Sequence, residues 1–221
     1  MPVVTPDISE LFEEAFERAG LEMRTGYDLR TARRSLNFLT LEWQNRGLNL
    51  FTIESGTQAL TSGTAEYTMP SDTVDLIEHQ LRSGTGVNQT DTALMRVSVS
   101  TYAQQTNKNT QGRPTQIYVS RGASSVTATV WPVPDSNDYT LFYYRLKGID
   151  GLSSGIAGSA AIPPRFIPAL VSGLAYHIAL KKPEAIERVV PLKQVYEEQF
   201  ILAAEEDRER ASLHLTPGRA V

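Results

Sequence analysis

Residues 166–210 read FIPALVSGLAYHIALKKPEAIERVVPLKQVYEEQFILAAEEDRER. In the first part of this stretch the large apolar residues recur every four positions, at Phe166, Leu170, Leu174 and Ile178, and Val171, Ala175 and Ala179 widen the stripe. That is the period of an α-helix, and few charges lie on the other side of it. A helix of this kind over roughly 165–180 is covered on most of its circumference, by this chain or by neighbouring copies. The rest of the stretch predicts a second helix with Leu192, Val195, Tyr196, Phe200 and Ala203 on its apolar side, running into the charged end Glu205 to Arg210. Pro163 and Pro164 suit the first turn of one helix and Pro183 the start of the other, where a missing N–H costs nothing. Pro191 removes a backbone bond if it lies inside a helix. A kink or break is therefore expected near Val190, with the helix proper from about 191 to 211.

The other end of the chain carries the same helical period. Thr5-Pro6-Asp7 reads as a helix start, with the Thr5 hydroxyl as N-cap and Pro6 at the first helical position. Ile8, Leu11, Phe12, Ala15, Phe16 and Ala19 form one face, and Glu10, Glu13, Glu14 and Glu17 decorate the rest before Gly20 stops the helix. Thr25, with Asp28 three residues later, opens a second helix in the manner of a capping box. Its stripe is Ala32, Leu36, Leu39 and Trp43, and Arg30, Arg33, Arg34 and Arg46 lie mostly elsewhere. Gly47 ends it. An acidic helix is thus followed by a basic one.

Between these ends the period changes to alternation, and Thr, Ser, Gly, Asn and Pro accumulate. Strands are predicted at 50–54, 64–69, 74–83, 93–98, 116–120, 125–130 and 138–146. Gly84 to Gln89 reads as a hairpin tip, Ser100 as the cap of a short helical turn, and the strand around Tyr139 to Leu146 as covered on both faces. The fold class that results is α+β. A helical bundle is built from both chain ends, 1–49 and 162–211, with an inserted, mostly antiparallel β domain at 50–148. A Gly/Ser/Ala-rich linker at 149–161 and an extended C-terminal tail at 212–221 complete the chain.

Composition narrows the function. Of 221 residues 41% are hydrophobic and 21% charged, ordinary values for a globular protein. The formal net charge of −4 argues against a molecule that grips nucleic acid by overall charge. The absence of cysteine removes disulfides, thiolate metal sites and cysteine nucleophiles. The histidines, His79, His177 and His214, have no metal-ligand spacing, and neither HExxH nor GxSxG occurs. The glycines at 84–86 and 151–158 match no phosphate-binding pattern and read as turn and linker. No cofactor is expected, and an enzyme is disfavoured. No signal peptide is read at the N-terminus, and no apolar run approaches the ~20 residues that cross a membrane.

What remains are surfaces. Arg30, Arg33 and Arg34 are placed to touch phosphates, or to pair with acidic residues of the first helix or of a neighbouring copy. Glu197, Glu198, Glu205, Glu206, Asp207 and Glu209 form a solvated face, or the wall of a channel that passes DNA without holding it. Trp131 with Tyr139, Tyr143 and Tyr144 offers a stacking platform for a carbohydrate- or receptor-binding tail component, or else sandwich core. In the tail, Leu213 and Leu215 alternate with His214 and Thr216, a short strand pattern suited to adding to a partner's edge or lying in a groove.

Residues 29–54, LRTARRSLNFLTLEWQNRGLNLFTIE, resemble the second helix of head-to-tail adaptor proteins of short-tailed bacteriophages, of the tail-tubular-A and packaged-DNA-stabilisation kind. Residues 164–200 and 205–218 are similar to the closing helix pair and tail of the same proteins. Phe51 stands where that family is expected to carry another aromatic such as Trp. The resemblance implies a structural virion protein at the head-tail junction, made in the host cytoplasm. It implies a dodecameric ring between portal and tail nozzle that continues the DNA channel, helps retain the genome and then passes it without tight binding. On that reading Ser212, Leu213, His214, Leu215, Thr216 and Arg219 meet the portal protein. Phe166, Leu170, Leu174, Ile178, Arg33 and Arg34 lie between subunits, and Glu198, Glu205, Glu206 and Glu209 line the channel. No membrane is involved.

Overall fold

The computed structural model describes residues 7–24, 26–47, 50–149 and 162–208. In chain order the elements are α1 (Ile8–Ala19), α2 (Gly26–Arg46), β1 (Ile53–Ala59), β2 (Glu66–Thr68), β3 (Thr73–Ser83), β4 (Thr90–Ala93), β5 (Met95–Val97), α3 (Val99–Ala103), β6 (Gln116–Arg121), β7 (Val126–Trp131), β8 (Tyr139–Lys147), α4 (Ile167–Ala179) and α5 (Val189–Glu206). The protein is α+β. Its described residues divide into two compact units: Thr52–Gly148, and the segments on either side of it, up to Phe51 and from Ile149.

In the helical unit α4 is central and packs on α1, α2 and α5. Its mean composition is apolar because it has neighbours on three sides. Ala169, Leu170, Val171, Leu174, Ala175 and Ile178 are all buried. Each large apolar side chain so buried contributes roughly 1.5–3 kcal/mol. Gly173 lets two neighbours close on the helix. A Cβ there would lie 2.9 Å from Leu39 Cδ1 and 2.9 Å from Tyr196 Cε2. Asp7, two residues after the expected Thr5, caps α1 because its carboxylate forms a reciprocal pair with Glu10, and Gly20 at φ 75° ends the helix. Thr5, Pro6 and Thr25, the other expected helix-start residues, lie outside the described residues.

The break expected near Val190 is found at the junction of Arg188 and Val189. Pro183–Arg188 is a run of 3-10 helix, and α5 begins at Val189. Pro191 therefore falls in the first turn, where its missing N–H would have had no intrahelical partner.

The β unit is a sandwich of two four-stranded sheets, ordered β1-β8-β3-β4 and β2-β7-β6-β5. Every strand pair is antiparallel except β5 with β6. Leu76, Leu81 and Leu141 from one sheet meet Ile117, Ala128 and Val130 from the other in its core. Trp131-Pro132 is a cis peptide.

Three expectations change here. The first strand is 53–59, not 50–54. It lies at a sheet edge, and its Gly56 pairs with Tyr143, whose ring would meet any Cβ at 2.6 Å. An edge strand covered by a partner's ring needs no apolar alternation of its own. The short helix α3 is capped by Ser98, whose side chain accepts from Thr101 N, and not by Ser100. Strand β8 is not covered equally on both faces: Leu141, Tyr143 and Arg145 are buried, while Tyr144 is exposed. Buried Arg145 is satisfied by Glu54 Oε2 at 2.6 Å, Thr73 Oγ1 at 2.9 Å and Asp72. That guanidinium holds the Asp72 carboxyl below its ordinary range.

Candidate assembly interface

The run around Glu42-Trp43-Gln44-Asn45-Arg46 closes the helical unit by polar contacts. Trp43 is fully buried, and its Nε1 donates to the Tyr196 hydroxyl on α5 at 3.0 Å. That hydroxyl donates in turn to Glu42 Oε1 at 3.1 Å, and His177 Nε2 of α4 lies 3.2 Å from Glu42 Oε2. Arg46 makes two bonds to Glu197, at 2.6 and 2.7 Å, and lies over the rings of Tyr196 and Phe200 at 5.0 and 4.7 Å. The Glu197 carboxyl is held below its ordinary range by this arginine. Glu42, His177 and Tyr196 were not singled out as a network by the sequence. No spacing rule links residues so far apart. The run therefore fixes the bundle's own helices to one another.

Phe166, Leu170, Leu174 and Ile178 are at most 1% exposed in this single chain. Of the two coverings left open for that stripe, the chain's own helices supply one. Phe166 packs its ring against Trp43, Phe51 and Phe200 at 5.1–6.4 Å.

The uncovered surfaces lie elsewhere on the same unit. On α2 the residues Tyr27, Arg30, Arg34, Phe38 and Leu41 recur at three- and four-residue spacing, opposite the buried face that holds Ala32, Leu36, Leu39 and Trp43. Tyr27, Phe38 and Leu41 are 58, 61 and 52% exposed. Tyr27, Thr31, Arg34 and Phe38 join Lys181 and Lys182 in lining a cleft of about 450 Å³. Lys181 Nζ donates to Ser35 Oγ, Lys182 Nζ to Asp28 Oδ1, and desolvation next to Arg34 lowers the Lys181 pKa. Among the described residues Arg30, Arg33 and Arg34 make no ion pair, whereas Arg18, Arg46, Arg82, Arg145 and Arg165 do. The acidic face of α1 is thus not their partner within this chain. Its Glu14 is taken by Arg18.

On α5 only Tyr196 and Ala203 are buried. Its outward side carries Glu198 and Glu205 interleaved with Val195, Ile201 and Leu202, which are 43, 53 and 59% exposed. Glu206 is exposed as well. A channel wall is washed by water, which exposed Ile and Leu do not favour. The mixture of apolar side chains and carboxylates suits contact with protein better. Glu209 and the tail residues Ser212, Leu213, His214, Leu215, Thr216 and Arg219 lie outside the described residues.

In the β unit the four rings considered as a platform do not share a surface. Tyr143 is core, Tyr144 points from the opposite face of β8, and Trp131 belongs to the other sheet and donates its Nε1 to Asn107 O. Among the described residues no three His, Asp or Glu side chains converge on a metal position, and no helix is long and apolar enough to cross a membrane.

The bundle is locked by its own polar network and leaves two chemically different uncovered helix faces, which suit contact with other protein. The chain matches the family model described as SU10 adaptor protein over residues 7–220 and belongs to that family of phage head-tail adaptors. No curated protein matches the chain.

Proposed function

We propose that the protein assembles as a ring, dodecameric as in the family its two ends resemble, that joins the portal to the tail nozzle and continues the DNA channel. The observation that carries this reading is α5, an 18-residue helix with two buried positions and an outward row of exposed Val, Ile and Leu, on a chain that belongs to an adaptor family. A helix with that surface is suited to protein on its outer side as well as its inner one. The net charge of −4 fits a conduit that must release DNA, because excess carboxylate repels phosphate.

The portal contact is proposed to lie in residues 212–221. That segment holds few large apolar residues and contains Pro217-Gly218, so it gains little by folding on itself. A partner's groove or sheet edge supplies the missing surface. Arg219 then pairs with a portal carboxylate. The test is co-sedimentation of the full chain and of a 212–221 deletion with purified portal, followed by class-averaged electron micrographs. The full chain is expected to form a closed ring on the portal, and the deletion is expected to lose attachment with unchanged thermal stability. Normal attachment of the deletion would put the docking surface on the bundle.

A further inference from the structure

The two uncovered helix faces are complementary, and we infer that they meet each other across the boundary between adjacent copies of this chain. The outer face of α5, with Glu198, Glu205, Ile201 and Leu202, seats on the outer face of α2 of the next copy, with Arg30, Arg34, Phe38 and Leu41. This rests on the ring reading above and assigns its subunit boundary.

Charge decides the pairing. The α2 face is apolar and cationic, and Arg30 and Arg34 have no ion-pair partner among the described residues. The α5 face is apolar and anionic, and Glu198 and Glu205 likewise make no ion pair among the described residues. Two α2 faces in contact would oppose arginine to arginine, and two α5 faces would oppose glutamate to glutamate. Like charges so placed repel and disfavour the contact. Neither face therefore pairs with itself, which excludes a two-fold contact through either. A contact between two different faces of one molecule is head-to-tail and repeats from copy to copy, closing into a ring when the rotation allows.

Shape and length agree. The α2 row from Arg30 to Leu41 spans about 17 Å and the α5 row from Val195 to Glu205 about 15 Å at 1.5 Å per residue. The cleft beside Arg34 and Phe38 gives a protruding side chain from the neighbour somewhere to enter. The α1 face is acidic too, but its exposed positions are Glu10, Glu13, Glu14, Glu17 and Arg18, with no apolar residue to match Phe38 and Leu41. The assignment also takes Glu198 and Glu205 off the channel wall.

The test reverses each face in the full-length chain. One variant carries Glu198→Arg and Glu205→Arg, the other Arg30→Glu and Arg34→Glu. All four positions are exposed, so circular dichroism and the melting temperature should match wild type. Each variant alone should lose self-association, alone and on purified portal, by about a hundredfold or more in sedimentation velocity. Mixed in equal amounts they should regain it, because every contact around an alternating ring then opposes unlike charges. If either variant assembles as well as wild type, the boundary lies elsewhere and the ring reading stands without this contact. If both stay folded and single but the mixture does not recover, the faces do not meet each other and the inference is overturned. If wild type itself forms no oligomer with portal present, the ring reading fails and this inference fails with it.

Discussion

Trp43 Nε1 donates to the Tyr196 hydroxyl at 3.0 Å, across 153 residues of sequence. Both rings are at most 1% exposed. The contact joins a helix from before the β unit to one from after it. Apolar packing alone tolerates small slides of one helix along another, whereas a buried directional bond has one register. The hydroxyl's second bond, to Glu42, ties Tyr196 to α2 a second time, and burial pushes the Tyr196 phenol well above its ordinary pKa.

Tyr196→Phe keeps the ring and removes the hydroxyl. Trp43 Nε1 is then buried without an acceptor, and one Glu42 oxygen loses a donor. The expected cost is about 1–3 kcal/mol. Urea unfolding of the purified variant measures it, and a loss below a few tenths of a kcal/mol would mean that the bond adds little.

Gly173→Ala adds one methyl where there is no room. The new Cβ would stand 2.9 Å from both Leu39 and Tyr196, on opposing helices. In solution Ala favours a helix over Gly by roughly 1 kcal/mol. Overpacking costs about 1–3 kcal/mol and should win. A lower melting temperature is expected, and an unchanged or raised one would show that α2 or α5 moves aside freely.

These contacts show which parts of the molecule were legible in the sequence. The helices were readable because Phe12, Leu36, Leu170 and their neighbours repeat at helical period and Gly20 marks the end of α1, while the cap proved to be Asp7 rather than Thr5 because Asp7 has Glu10 as a reciprocal partner. The central β region was readable as a change to alternation. Strand β1 was not, because Gln58 and Thr57 sit at an edge and Gly56 is set by the Tyr143 ring. Pro191 located the start of α5 to within two residues, but the 3-10 run before it, which leaves no apolar period, was not legible. The uncovered faces were half legible. The arginines and glutamates stood out, but only burial reveals that Phe38, Leu41, Ile201 and Leu202 share their sides of α2 and α5. The apolar stripe that looked most like an interface is the one the chain covers itself.

Leu174 and Leu202 separate those two kinds of surface. Leu174 is fully buried and Leu202 is 59% exposed. Leu174→Asp places an unpaired carboxylate in the core, a cost of several kcal/mol. The helical unit should unfold, visible as lost helical circular dichroism. Leu202→Asp should leave helicity and melting temperature intact and reduce only self-association. A folded Leu174→Asp protein would require that α4 is far less tightly packed than its burial indicates.

His79 gives the β unit a pH dependence. Its residue is 8% exposed, and neither ring nitrogen has a hydrogen-bond partner among the described residues. Desolvation, then the nearby Arg96 charge, lowers its pKa from 6.5, with Glu78 and Asp75 acting the other way. A group whose folded pKa is depressed takes its proton more readily in the unfolded chain. Its contribution is present above the ordinary value of 6.5 and is lost as pH falls below it. Asp72, held low by Arg145, adds a second loss only below its ordinary 3.8. Urea midpoints should therefore fall between pH 7.5 and pH 5. His79→Leu removes the titrating ring and both unpaired nitrogens. It should raise stability at pH 5 by more than at pH 7.5, by about 1 kcal/mol or more, and flatten the slope between them while leaving the loss below pH 4 in place. Equal shifts at both pH values would assign the effect to packing rather than to protonation of His79.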